Sequence, residues 1–152
     1  MTTSLVALVG ADANIGSEGD LPVFADNDER VRQLHWFDAL SVGSIIVMGS
    51  NTIRLMQGQG FRGVDDQRIL VPWSRDHGQT PEDFLAELQR EGRHIIIAGG
   101  ATTFRLFAPF CENYYLRRVT LLNPPDFRLD PILPSWQSRH IAAGEKRNPR
   151  LS

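Results

Sequence analysis

The sequence predicts an α/β domain with a mostly parallel central sheet and helices on both faces. Three observations predict it. Short strand-like runs alternate with helical stretches along the chain. Three of those runs, at residues 4–9 (SLVALV), 44–48 (SIIVM) and 94–98 (HIIIA), are nearly all apolar, which suits strands buried on both faces. A length of 152 residues with 41% hydrophobic content supplies one core, so a single domain over 1–152 is expected.

Each element has a local cause. Residues 4–9 form the first strand, and residues 10–22 read as loop because Gly10, Gly16 and Gly19 break the pattern among turn-forming Asp12, Asn14 and Asp20. Asp26 or Asn27 caps a helix over 28–40, whose first turn carries Asp28 and Glu29 at the positive end of the dipole. Residues 44–48 are the second strand, and a tight turn at 49–52 leads into a short helix ending near Gly58. A glycine-rich loop follows, then a strand over 68–73, with Pro72 at an edge or strand end. Thr80-Pro81-Glu82-Asp83 is a helix start, with a cap, a proline at the first position and acids after it. Gly92 stops that helix, and residues 94–98 are the third buried strand. A helix over 101–108 ends before Pro109, and a longer strand covers 114–122. Pro124-Pro125 turns the chain, and residues 136–152 read as a loose C-terminal segment or an edge strand.

Composition narrows the function. Net charge is −2 with no block of like charge, which argues against a nucleic-acid-binding face. No apolar run approaches the roughly 20 residues of a membrane helix, and no basic segment followed by an apolar one opens the chain, so a cytoplasmic protein is expected. The single cysteine, Cys111, excludes an internal disulfide and a cysteine-built zinc cage. The histidines lack ligand spacing, so no metal is expected. Lys146 is the only lysine among 16 basic residues and lies in the polar tail, so anion recognition falls to arginine.

In parallel sheets, ligands sit beyond the carboxyl ends of the strands. Those ends here are Gly10, residues 49–52, Ser74-Arg75 and Gly99-Gly100. Three are rich in small residues and two lead straight into helices, whose N-termini attract anions. Together they fit a phosphate-bearing cofactor. No Gly-x-Gly-x-x-Gly follows any strand, which excludes the standard dinucleotide fingerprint.

The order of these pieces resembles the dihydrofolate reductase family over roughly residues 4–136. The opening SLVALVGADANIGSEGDLP is similar to that family's first strand and mobile loop, with Ile15-Gly16 and Leu21-Pro22 at its marker positions. WFDALSVGSIIVMGSNT is similar to its pocket helix, second strand and Met-Gly-x-x-Thr turn. RILVPWSR matches its Arg-x5-Ser/Thr-Arg stretch without a gap, IIIAGGATTF its Gly-Gly segment, and Asp130-x-x-Leu-Pro134 its late Asp-x-x-Phe-Pro. The resemblance implies NADPH as cofactor and dihydrofolate or a related pterin as substrate, handled by a monomer. It implies Ala7 and Ile15 near the nicotinamide, and Gly49, Ser50, Asn51 and Thr52 at the pyrophosphate. Ser74 and Arg75 would take the 2′-phosphate, and Gly99, Gly100, Ala101, Thr102 and Thr103 would pack on the diphosphate, often around a cis peptide between the glycines. Val6, Leu34 and Phe37 would touch substrate, and Arg68 would pair with the folate glutamate.

The pterin half departs from that pattern. The segment from Pro22 to Phe37 is longer than usual, so the position of the family's acid depends on the anchor. Counting from Trp36-Phe37 it is Gln33, and counting from Pro22 it is Asp28. Helix geometry adds Glu29, one turn before Gln33 on the same face. Glu29 is the favoured acid, and His35 lies off that face. Arg117 stands where a Thr usually sits and suits a more anionic substrate. If the acid is displaced or missing, the departure also implies weakened binding of trimethoprim-type antifolates. Three readings follow: a dihydrofolate reductase with an atypical pocket, a same-fold reductase of another heterocycle such as a riboflavin precursor, and an inactive nucleotide-binding module.

Overall fold

The computed structural model describes residues 2–10, 14–16, 23–57, 68–74, 76, 78–122, 127–128 and 144–147, with backbone only for 14–16, 127–128 and 144–147. Strand β1 (Thr3–Val9) lies inside a six-stranded sheet. Helix α1 (Asn27–Ser41) leads to β3 (Ile45–Gly49), α2 (Ser50–Gln57) and β4 (Ile69–Trp73). Helix α3 (Pro81–Gln89), β5 (Ile95–Ile97), α4 (Ala101–Phe107) with a short 3-10 turn, and β6 (Asn113–Arg118) complete the parallel part. The sheet order is β4-β3-β5-β1-β6-β8, where β8 is Gly144–Arg147. Every pairing from β4 to β6 is parallel, and β8 adds antiparallel to β6.

Burial explains the order. The central strand β5 is Ile95, Ile96 and Ile97, all at 0% exposure. Each such side chain contributes roughly 1.5–3 kcal/mol on burial. Alternate residues then serve two faces. Leu5, Ala7 and Val9 join Ile45, Val47, Tyr114 and Leu116 against Phe84 and Leu85 of α3 and Phe104 and Phe107 of α4. Trp73 pins that layer, meeting Phe84 edge-on at 5.0 Å and Phe107 at 5.1 Å between ring centres. On the opposite face Ile46, Met48 and Ile53 form a smaller cluster with Phe37 of α1 and Met56 of α2. Helices therefore cover both faces, as the sequence pattern predicts.

The helix caps behave as read. The Asp26 side chain accepts from the Glu29 N–H at 2.7 Å, and Thr80 from Asp83 at 3.1 Å, with Pro81 at the first position of α3. Two expectations change. The segment 10–22 is not loop throughout, because Asn14–Gly16 forms β2, antiparallel to β7 (Phe127–Arg128). Three residues carry no periodicity, and the partner is distant in sequence. The last long strand stops at Arg118 rather than residue 122. Val119 still donates to the Val9 carbonyl, but β1 ends there, and the chain turns instead to residues 23–24 through a Phe24–Leu121 bridge. The polar tail resolves into the edge strand β8 at 144–147. Among the described residues, no helix is long and apolar enough to cross a membrane.

Candidate active site

The carboxyl ends of β3 and β5 lie side by side, which follows from their register of Ile45 with Ile95 and Val47 with Ile97. Two residues beyond the Val47–Ile97 pair, Gly49 N–H donates to the Gly99 carbonyl at 2.9 Å. The Gly99–Gly100 peptide is cis, as the resemblance implies. Gly99 has φ 127°, a conformation that only glycine adopts without strain. Here two backbones and two threonines converge. A Cβ on Gly49 would come within 2.9 Å of Thr103 Oγ1, and one on Gly100 within 2.9 Å of Thr52 Oγ1. Thr103 is buried on α4, and Thr52 is half-buried on α2. The result is a bare-backbone cradle lined by two hydroxyls at the mouth of two helices.

Neighbouring ends extend this edge. Gly49 stands in register with Trp73, so α2 begins beside the end of β4. Ser50 Oγ donates to the Trp73 carbonyl at 3.1 Å, fixing that junction. Ser74 follows, and its Oγ accepts from the Asp76 N–H at 3.3 Å. Asn51 accepts from the Arg54 guanidinium on the exposed side of α2. Ala101 is buried and Thr102 half-buried at the start of α4. Arg75 and the Ile15 side chain lie outside the described residues.

The second half of the site lies on α1. An ordinary surface helix buries an apolar stripe. The residues buried deepest on α1 are polar: Gln33 at 5% exposure and Ser41 at 0%. Leu34 remains 41% exposed, and Phe37 is half-buried against the Ile46–Met48–Ile53 cluster. Gln33 Nε2 donates to Glu29 Oε1 at 3.3 Å, one turn earlier. Glu29 also holds the Arg32 guanidinium, a side-chain hydrogen bond that raises the already basic Arg32 further. The structure thus brings Glu29 and Gln33 together, while Asp28 and His35 are exposed. Val6, 4% exposed, lies on the sheet face toward α1, whereas Ala7 joins the opposite layer.

Two arginines frame α1. Arg68 precedes β4 and reaches the carboxyl end of α1, where its Nε donates to Ser41 Oγ at 2.9 Å and a terminal nitrogen donates to the Asp38 carbonyl at 2.7 Å. A cation there suits the negative end of the helix dipole. Arg68 and Ser74 sit at opposite ends of β4, roughly 20 Å apart at the usual rise. Arg117 on β6 points to the same sheet face and lies 5.3 Å above the Trp36 ring. Sequence reasoning missed Ser41 and Trp36 as partners of these arginines. Neither has a local signal, since each meets its arginine only through the fold. Cys111 is fully buried, donates to the Phe107 carbonyl at 3.4 Å, and has its thiol pushed up by burial, so it stays inert. Among the described residues no group of three His, Cys, Asp or Glu gathers to hold a metal.

The chain is similar to known proteins. A family model described as dihydrofolate reductase matches residues 2–150. The chain is similar to the dihydromethanopterin reductase of Methylorubrum extorquens, 27% identical over 128 residues, which is 83% of this chain and 88% of that protein. Among solved structures it is similar to dihydrofolate reductase from Enterococcus faecalis complexed with NADP(H) and RAB-propyl. That match has a TM-score of 0.63 and 19% identity, covering 84% of this chain and 76% of the other. At that identity the likeness speaks for the fold.

Proposed function

The chain belongs to the dihydrofolate reductase family, and from that footing we propose that it is an NADPH-dependent reductase of a dihydropterin, with dihydrofolate the first substrate to test. The observation that carries this reading is the cradle at the ends of β3 and β5, where an added methyl on Gly49 or Gly100 would meet a threonine hydroxyl at 2.9 Å. Bare backbone and hydroxyls beside the start of α2 fit a diphosphate. The solved dihydrofolate reductase similar to this chain is complexed with NADP(H), which supports the same cofactor here.

In this reading Gly49, Ser50, Asn51 and Thr52 hold the diphosphate from one side, and Gly99, Gly100, Ala101, Thr102 and Thr103 from the other. Ser74 and Arg75 take the 2′-phosphate, and Ala7 and Ile15 border the nicotinamide. When bound, NADPH supplies the hydride for C6 of the pterin. Val6, Leu34 and Phe37 hold the ring, Arg68 takes a carboxylate of the substrate tail, and Arg117 adds positive charge to that face. N5 must also gain a proton. Glu29 is the carboxylate held against the buried Gln33 and ion-paired with Arg32, and we assign it the ordering of the water that delivers this proton. Glu29→Gln should cut dihydropterin turnover at pH 7 by roughly 10²-fold, with the NADPH dissociation constant nearly unchanged. Near-normal turnover with an unchanged pH profile would return the role to bulk water.

A second reading, the same reduction carried out on dihydromethanopterin, is favoured by the similarity to the Methylorubrum extorquens enzyme of that name. The purified protein, titrated with NADPH and then offered each dihydropterin while NADPH oxidation is followed, separates the two. Turnover of dihydrofolate supports the first reading, and turnover of dihydromethanopterin alone supports the second. Tight NADPH binding with neither turned over points to another heterocycle or to an inactive module.

A further inference from the structure

We propose that Gln33 meets the substrate ring as a neutral hydrogen-bond acceptor whose orientation is fixed by Glu29, so that the pocket favours neutral N–H donors over protonated rings. This rests on the dihydropterin reading above.

An amide has a donor end and an acceptor end, and the two are told apart by their neighbours. Glu29 is ion-paired with Arg32, so its oxygens act as acceptors. The end of Gln33 facing Glu29 must therefore be the nitrogen, which donates to Glu29 Oε1 at 3.3 Å. Reversing the amide would set two acceptors against each other. The oxygen consequently points away from Glu29. Gln33 is 5% exposed, and among the described residues its Oε1 is buried without a hydrogen-bond partner. Buried acceptors are nearly always satisfied. Phe37, one turn further along the same face, packs toward the sheet, so the acceptor faces the space between α1 and the sheet.

A pterin or diaminopyrimidine ring presents N–H and amino donors along one edge, which is what such an acceptor takes. A carboxylate would gain a charge-assisted bond from a protonated ring. An amide oxygen carries no counter-charge to offset the cost of desolvating that cation. Arg117 on β6 faces α1 over Trp36, and its positive charge also works against a cationic ligand.

The test uses the full chain loaded with NADP⁺, which cannot donate a hydride, and measures dissociation constants for trimethoprim, a 2,4-diaminopyrimidine, and for dihydrofolate across the titration of trimethoprim. Wild type should gain no trimethoprim affinity as that ligand protonates. Gln33→Glu should bind it roughly tenfold or more tighter on the acid side. Gln33→Met keeps the bulk and removes the acceptor, and should weaken dihydrofolate roughly tenfold. Glu29→Gln frees the amide to turn and should also weaken dihydrofolate. The NADPH constant of each variant reports folding. Wild-type trimethoprim affinity that climbs tenfold with ligand protonation, with Gln33→Met neutral toward dihydrofolate, would overturn the proposal and leave the dihydropterin reading standing. An NADPH-competent protein that binds neither pterin nor diaminopyrimidine would overturn both.

Discussion

A single side chain decides which nicotinamide cofactor is used, and here two neighbours share that task in the proposed reading. Ser74 closes β4 beside the start of α2, with its hydroxyl turned to the local backbone at Asp76. Arg75 follows it in sequence. A guanidinium matches a phosphate dianion with two parallel bonds, and the 2′-phosphate is present only in NADPH. Arg75→Ala should therefore cost NADPH binding roughly 1.5–3 kcal/mol, a loss of about ten- to 150-fold, while NADH is nearly unaffected. Equal losses for both cofactors, measured by fluorescence titration, would place Arg75 away from that phosphate. At this scale the sequence was informative where small residues end a strand and weak where a side chain depends on a distant partner. Glycine or threonine at one strand end is usually only a turn or a cap, and the convergence of Gly49, Thr52, Gly99 and Gly100 was legible because the ends of parallel strands share one sheet edge. The tie from Arg68 to Ser41 and the stack of Arg117 on Trp36 were not, because nothing in the local sequence places those residues near one another.

Elements formed wherever their signals were local. The Thr80-Pro81 start of α3 and the Asp26 cap of α1 are short-range hydrogen bonds, readable from three or four residues. The isoleucines of β5 could only be buried. The pairing of β2 with β7 escaped because its two short strands carry no pattern of their own, and it decides whether the first loop is anchored. Helix α1 was placed correctly, but its character was not legible. Its deepest side chains are Gln33 and Ser41, whereas Leu34 is exposed and Phe37 only half-buried against the Ile46–Met48–Ile53 cluster. The junction between β3 and β5 makes a prediction at this scale. A methyl on Gly49 would press on Thr103 Oγ1 at 2.9 Å, and χ1 of a β-branched residue yields little. Gly49→Ala should cost about 1–3 kcal/mol of stability and weaken NADPH binding. Adding Thr103→Ala removes the obstructing hydroxyl, so the double variant should regain much of that stability. Urea unfolding of the four proteins reads the coupling. Strict additivity would mean that the two positions do not meet.

At the scale of the molecule, the proposed reading sets two recognition regions on different supports. The cofactor edge is built from the carboxyl ends of β3, β4 and β5 and from the first turns of α2 and α4. The proposed ring face is built from α1 and the facing side of β1 and β6, with Val6 buried on β1 and Arg117 of β6 over the Trp36 ring. The first region is continuous with the larger hydrophobic layer through Trp73, Ala101 and Phe104. Binding there should thus stabilise the sheet as a whole rather than one loop. Linkage gives the size. Ligand at 100 times its dissociation constant adds about 2.7 kcal/mol when only the folded state binds. For a domain of this length each kcal/mol raises the midpoint by about 2–4 °C. Saturating NADPH should therefore raise the melting temperature by roughly 5–11 °C in a single transition. NADH at the same concentration should give a much smaller shift, because it forgoes the contact assigned to Arg75. The ring face is supported by the smaller cluster around Ile46, Met48 and Ile53. A dihydropterin added to the complex with NADP⁺, where no hydride can pass, should raise the midpoint above that of the NADP⁺ complex alone, and Gln33→Met should remove that second increment while leaving the first. If NADPH gives no shift and the dihydropterin alone does, the edge formed by Gly49 and Gly100 is not a cofactor site, and the hydride must come from elsewhere.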